Sequence, residues 1–187
     1  METKAKKTNL RKEIKSLLKN MPPEQKAKLD HQVFEGVTSL EEFKEAKSVY
    51  GYMALPWETG TMEILEYLFE NKTPVALPKV LGTDMDFFRV RSLKDLQEGA
   101  FHILEPSEAC EKVCWPDACM LIPGLAFSLD GKRLGKGGGY YDKFLGREPN
   151  HEKIALAYEF QVLDKIPAEE HDQTVNFIVT EKRTIAL

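Results

Sequence analysis

From Lys4 to Leu18 the apolar positions Leu10, Ile14, Leu17 and Leu18 recur at helical spacing, and Asn20 with Pro22 and Pro23 ends the run. The pattern predicts an amphipathic helix with a basic face. Pro23 suits the first turn of a second helix, where its missing amide needs no partner, and Leu29, Val33, Phe34, Val37 and Leu40 carry the apolar stripe. The period then shortens. Ser48–Met53, Pro74–Leu77, Met85–Val90, Ala118–Ile122, Ile154–Tyr158 and Phe177–Val179 are short runs of strand type, and Thr61–Phe69 and Tyr140–Leu145 have helical spacing. Alternation of strand and helix, without internal repeat or low-complexity linker, predicts one domain over 1–187. The expected architecture is a single three-layer α/β/α domain, Rossmann-like, with the N-terminal helices packed on the sheet.

Composition narrows the picture. The 187 residues are 42% hydrophobic and 30% charged, enough apolar surface to offset the entropy of ordering, so disorder is not expected. Twenty-six basic against 30 acidic residues leave a net charge of −4, which gives no global attraction to nucleic acid or anionic lipid. Any phosphate binding must be local. Cys110, Cys114 and Cys119 match neither a disulfide framework nor a paired zinc motif and read as structural thiols of a reducing compartment. With no signal-like or membrane-length apolar run, a cytoplasmic protein is expected.

The chemistry concentrates between Ala118 and Asp142, where a strand-like run leads through a glycine loop into a helix. Glycines at 131, 135, 137, 138 and 139 let backbone approach a ligand, the amides of the following helix can face phosphate oxygens, and Arg133 and Lys136 add positive charge. Two nucleotide motifs fail here. Gly131 is one residue too close to Gly135-Lys136 for a Walker A loop, whose hydroxyl position is taken by Gly137; a dinucleotide fingerprint would need glycine at Tyr140. A flexible surface turn is the plain alternative, and the two cations, two aromatics and Asp142 favour a phosphate cradle over it.

The sequence resembles the 5-formyltetrahydrofolate cyclo-ligases, also called methenyltetrahydrofolate synthetases. The resemblance rests on Pro123-Gly-Leu-Ala-Phe127 and on Asp130-Gly-Lys-Arg-Leu-Gly-Lys-Gly-Gly-Gly-Tyr-Tyr-Asp142. It is supported by Lys7-x-x-Leu-Arg11, Pro56 to Thr61, Met85-Asp-Phe87, Glu105-Pro106, Ala157-Tyr-Glu-x-Gln161 and His171-Asp172. It implies an ATP-dependent cyclisation of 5-formyltetrahydrofolate to 5,10-methenyltetrahydrofolate with release of ADP and phosphate, a step of one-carbon metabolism. A formamide oxygen is a poor leaving group, and its phosphorylation would let the second nitrogen close the ring.

By the same resemblance, ATP is expected on Lys7, Arg11, Arg133, Leu134, Gly135, Lys136, Gly137, Gly138, Gly139, Tyr140 and Tyr141. Magnesium falls to Asp142 and Asp172. The folate is expected on Leu55, Glu58, Lys136, Gly137, Gly138, Gly139 and Tyr140, with Arg133, Lys136 and Tyr140 as the catalytic set. The expected partner is a small reduced folate bound by a monomer, with no nucleic acid or membrane. Phe101 is read as an aromatic wall or as core, and His31, His102 and His151 are given no chemistry. Two positions depart from the family pattern. Glu58-Thr-Gly-Thr61 puts Gly60 where relatives carry an acidic folate contact, leaving Glu58 as the carboxylate expected at the ligand's polar edge, and Asn176 stands where relatives often have Asp. The alternative is a divergent ATP-binding paralogue with another substrate or a non-catalytic regulatory role.

Overall fold

The computed structural model describes residues 2–99, 103–169 and 172–187, so Phe101, His102 and His171 lie outside the described residues. Helices α1 (Glu2–Lys19) and α2 (Pro23–Ser39) form with the break at the predicted prolines: Pro22 is extended at φ −58° and ψ 137°, and Pro23 opens α2. A short α3 (Glu41–Lys44) precedes β1 (Val49–Tyr50), and α4 (Met62–Glu70) follows. Next come β2 (Val75–Leu81), β3 (Asp84–Val90), β4 (Leu96–Glu98), β5 (Leu104–Pro106) and β6 (Lys112–Val113). The second half contains β7 (Cys119–Ile122), β8 (Ala126–Ser128), β9 (Arg133–Leu134), α5 (Tyr140–Arg147), β10 (Glu152–Leu156), β11 (Val162–Leu163), β12 (Phe177–Val179) and β13 (Thr184–Ala186).

The main sheet has eight strands in the order β13-β12-β10-β7-β1-β2-β3-β6. Its centre, β12-β10-β7-β1-β2, is parallel, and β13, β3 and β6 add antiparallel edges. Parallel strands buried on both sides show two apolar sets in alternation. Val49, Val75, Leu77, Cys119, Leu121, Ile154 and Leu156 face α2 and α4, joining Val33, Val37, Ile64, Leu65 and Leu68 in one core. Tyr50, Ala76, Met120, Ile122, Ala155 and Ile178 point the other way, onto Phe144 and Leu145 of α5. These two cores make the three layers. Each fully buried Leu, Ile or Phe contributes about 1.5–3 kcal/mol by leaving water.

The two N-terminal helices pack on different sheets. α2 lies on the main one, whereas α1 turns Ile14 and Leu18 onto Leu125, Ala126, Leu134 and Tyr158, beside the three-stranded sheet β11-β8-β9. The anticipated Ser48–Met53 strand is paired only at Val49–Tyr50, since the chain leaves the sheet after Gly51, and the run at Pro74 continues through Pro78 to Leu81. That extension comes from β3: the two strands pair in unbroken register around Gly82, whose φ of 66° suits the primed turns of two-residue hairpins. All three cysteines are free thiols; Cys119 is buried, and that burial pushes its pKa to about 12. Among the described residues no helix is long and apolar enough to cross a membrane.

Candidate active site

In an open α/β sheet a crevice forms beyond the strand ends where the order reverses, because neighbouring connections leave in opposite directions. Here β1 leads to β2 on one side and β7 leads to β10 and β12 on the other. At that point Tyr52 and Met53, just after β1, and Pro123, just after β7, line a cleft of about 420 Å³. Two walls of different chemistry face it.

The polar wall comes from the segment read as a glycine loop, which the structure divides. Gly131 belongs to the turn of the β8–β9 hairpin, at φ 81°, where its carbonyl accepts the Val175 N–H, so it takes no part in the cradle. Gly135, Lys136, Gly137, Gly138 and Gly139 line the cleft and lead directly into α5. Gly137 at φ 110° and Gly139 at φ 69° hold a backbone conformation that side chains disfavour, and no side chain caps α5. The first-turn amides of an uncapped helix suit an anion.

Helix α1 delivers its basic face to this loop. Arg11 Nε donates to Gly135 O at 2.8 Å, and Lys7, 5% exposed, reaches Asp172 Oδ2 at 2.6 Å and Glu169 Oε2 at 2.7 Å. Burial pulls the Lys7 ammonium down, but hydrogen bonds and charge from Asp172 and Glu169 outweigh it and leave its pKa above the ordinary lysine value. Arg133 is turned inward: Nη1 donates to Pro123 O at 3.2 Å and Nη2 to Asp142 Oδ1 at 2.8 Å, while Nε is buried without a partner among the described residues. It ties the end of β7 to the start of α5. Its guanidinium also lies 5.7 Å from the centre of the Tyr141 ring, whose buried hydroxyl lacks a hydrogen-bond partner among the described residues and whose pKa burial raises. Leu134 lies 1% exposed in the core beneath α1, so its place on the wall is mainly that of backbone.

The opposite wall is apolar. Leu77, Pro78, Val80 and Met85 of the β2–β3 hairpin, with Leu104 and Glu105 of β5, line it. Sequence reasoning assigned none of these to the ligand, and only the quoted Glu105-Pro106 and Met85-Asp-Phe87 segments pointed there.

The expected folate contacts Leu55 and Glu58 do not line this cleft. Glu58, 6% exposed, accepts the Leu55 N–H at 2.8 Å and pairs with Lys136, so its carboxylate is spent on holding its own loop and the glycine loop together. Gly60, for its part, is held from outside its own loop. Asp30 of α2 accepts the Gly60 N–H at 2.7 Å and the Tyr158 hydroxyl at 2.5 Å, and it pairs with Lys26 at 2.6 Å. A Cβ at Gly60 would lie 2.7 Å from Asp30 Oδ2.

Asp142 and Asp172, the expected magnesium residues, both line the cleft. Asp142 Oδ1 takes the bonds from Arg133 and from the Gln173 N–H, which leaves its second oxygen without a hydrogen bond among the described residues. No group of three or more His, Cys, Asp or Glu arranged for a metal occurs among the described residues. Two carboxylates beside a phosphate cradle fit a hard cation that completes its shell with phosphate oxygens and water.

The profile of the 5-formyltetrahydrofolate cyclo-ligase family matches residues 3–181. A solved Aquifex aeolicus 5,10-methenyltetrahydrofolate synthetase superposes with a TM-score of 0.87 at 36% identity, covering 97% of this chain and 92% of that one. The Saccharomyces cerevisiae 5-formyltetrahydrofolate cyclo-ligase is 31% identical over 91% of this chain and 92% of its own length. The Mus musculus enzyme of that name is 28% identical over 94% and 93%. A match from residue 3 to residue 181 takes in both walls of the cleft and the α1 residues Lys7 and Arg11 that line it, and the chain belongs to the 5-formyltetrahydrofolate cyclo-ligase family.

Proposed function

We propose that this chain closes 5-formyltetrahydrofolate to 5,10-methenyltetrahydrofolate at the expense of ATP. The reading is carried by one observation: a cleft at the reversal point of the sheet sets a wall of glycine amides and cations against an apolar wall. The polar wall suits a triphosphate and the apolar one a flat heteroaromatic ring. ATP supplies a phosphoryl group that turns the inert formyl oxygen into a leaving group, and magnesium on Asp142 and Asp172 would offset the charge of the phosphates.

The chain's own work is positioning and neutralisation. Arg11, fixed to Gly135 through Nε, keeps the rest of its guanidinium for phosphate oxygens. Lys7, held by Asp172 and Glu169, and Lys136, held by Glu58, both line the cleft as point charges that phosphate oxygens can draw on, and Arg133 holds the loop in shape through Pro123 O and Asp142. Tyr140 opens α5 and lines the cleft, which suits a ring that lies against the pterin. The second nitrogen belongs to the substrate itself, so no protein nucleophile is required. The reading takes 1–187 as one domain, acting as a monomer in the cytoplasm on a small reduced folate, without nucleic acid or membrane.

The test is turnover of the purified protein with MgATP across a panel of reduced folates, following absorbance of the methenyl product and ADP release. Folate-dependent ADP formation in step with product is expected. ATP hydrolysis indifferent to every folate would overturn the reading.

A further inference from the structure

A flat heterocycle laid on the apolar wall brings its own polar edge with it. Each N–H of that edge left without an acceptor costs about 1–3 kcal/mol, so the wall must hold an acceptor or reject the ring. Most carboxylates near the cleft are already engaged. Asp142 holds Arg133, Asp172 and Glu169 hold Lys7, Glu58 holds Lys136 and the Leu55 N–H, and Asp30 holds Gly60, Tyr158 and Lys26.

Glu105 differs from all of these. It lines the cleft among Leu77, Pro78, Val80, Met85 and Leu104, and its carboxylate accepts no hydrogen bond among the described residues, the nearest charge being Lys79. Its nearest cation, Lys79, stands 3.9 Å away and is taken up by Glu108 and the Pro106 carbonyl. The fold has also made room for this carboxylate. Gly99 lies against it so closely that any side chain at position 99 would run into the Glu105 carboxylate. Two carboxylate oxygens in one plane match two adjacent N–H donors in one plane, the fork arrangement that makes such pairs strong and directional.

We propose that Glu105 is the specificity residue of the cleft, accepting the paired N–H donors of the pyrimidinone edge of the substrate ring. This deepens the function proposed above and rests on it. Glu105 stands where neither Glu58 nor position 60 reaches, and it lets a chain with glycine at 60 read the same kind of ring from the other wall.

The experiment is equilibrium calorimetry of 5-formyltetrahydrofolate and, separately, of MgATP, on the wild type, Glu105→Gln and Gly99→Ala, with thermal unfolding of each. Glu105→Gln is expected to weaken folate binding by about ten- to a hundredfold while leaving MgATP affinity and the unfolding temperature at wild-type values. Gly99→Ala, which displaces the carboxylate without removing it, is expected to move folate affinity in the same direction. A folate analogue lacking the 2-amino donor should bind wild type and Glu105→Gln alike. Wild-type folate affinity in Glu105→Gln, or an analogue that loses as much affinity between wild type and Glu105→Gln as 5-formyltetrahydrofolate does, overturns the proposal. Failure of the wild type itself to bind any folate instead removes the proposed function, and this inference with it. Should Gln at 105 prevent folding, Glu105→Asp, which withdraws the charge by one methylene, carries the same expectation at about tenfold.

Discussion

Two segments of this protein carry the residue types of a binding site, 133–142 and 55–61, and the fold uses them in opposite ways. In the first, Gly137 and Gly139 keep backbone open to the cleft, and Arg133, which also lines it, is largely buried and bonded to Pro123 O and Asp142, so that it braces the loop. In the second, Glu58 and Gly60 are sealed by partners within the protein, Lys136 on one and Asp30 on the other. A side chain sealed by partners and turned out of the cleft offers a ligand nothing, whereas one that lines the cleft can trade an internal partner for the ligand. The difference between the segments lies in their neighbours rather than in their composition.

Removing the strut should have the largest effect on this contrast. Arg133→Met breaks an ion pair whose arginine is buried and whose Asp142 side chain is 22% exposed, and it is expected to lower stability by about 2–4 kcal/mol. Turnover should fall by about a hundredfold or more as the loop loses its shape. Thermal unfolding and initial rates on the same preparation check both. A variant that keeps wild-type stability and loses only rate would return Arg133 to the ligand's side.

Alanine at 137 and glutamate at 60 should part company. Gly137→Ala strains a residue at φ 110° by about 1–3 kcal/mol and is expected to weaken MgATP binding about tenfold, as titration with nucleotide would record. Gly60→Glu drives a side chain onto the Asp30 carboxylate, and unfolding should become easier by about 1–3 kcal/mol with MgATP affinity unchanged. Asp30→Ala in that background should recover part of the loss, read as the coupling term of a double-mutant cycle.

The smallest effect concerns Lys7. Its folded-state pKa lies above the ordinary 10.5, so the ammonium adds stability that is complete below that value and fades as pH rises through the folded pKa. Lys7→Met should therefore flatten the alkaline limb of a stability profile measured between about pH 9 and 12. An unchanged limb would mean that Asp172 and Glu169 hold Lys7 no more tightly than solvent does.

Much of the main chain was legible because it is local. The proline break between α1 and α2, the apolar stripes and the strands at Ala118 and Phe177 follow from spacing and turn chemistry alone. The β8–β9 hairpin inside the supposed loop, the length of β2 and the edge strand β13 were not legible, because each depends on a partner strand that no window of sequence contains.

The sequence by itself determined the glycine cradle, the basic residues on α1 and the family to which they belong, since a motif keeps its residue types wherever the chain carries it. Only the tertiary structure decided which charges remain available. Asp30 meets Gly60 from thirty positions away, Lys7 meets Asp172 across nearly the whole chain, and the Glu105 carboxylate keeps only a distant Lys79 for a partner among the described residues. Hydrogen-bond capacity is finite, and it is shared out by packing among residues that the linear order keeps apart.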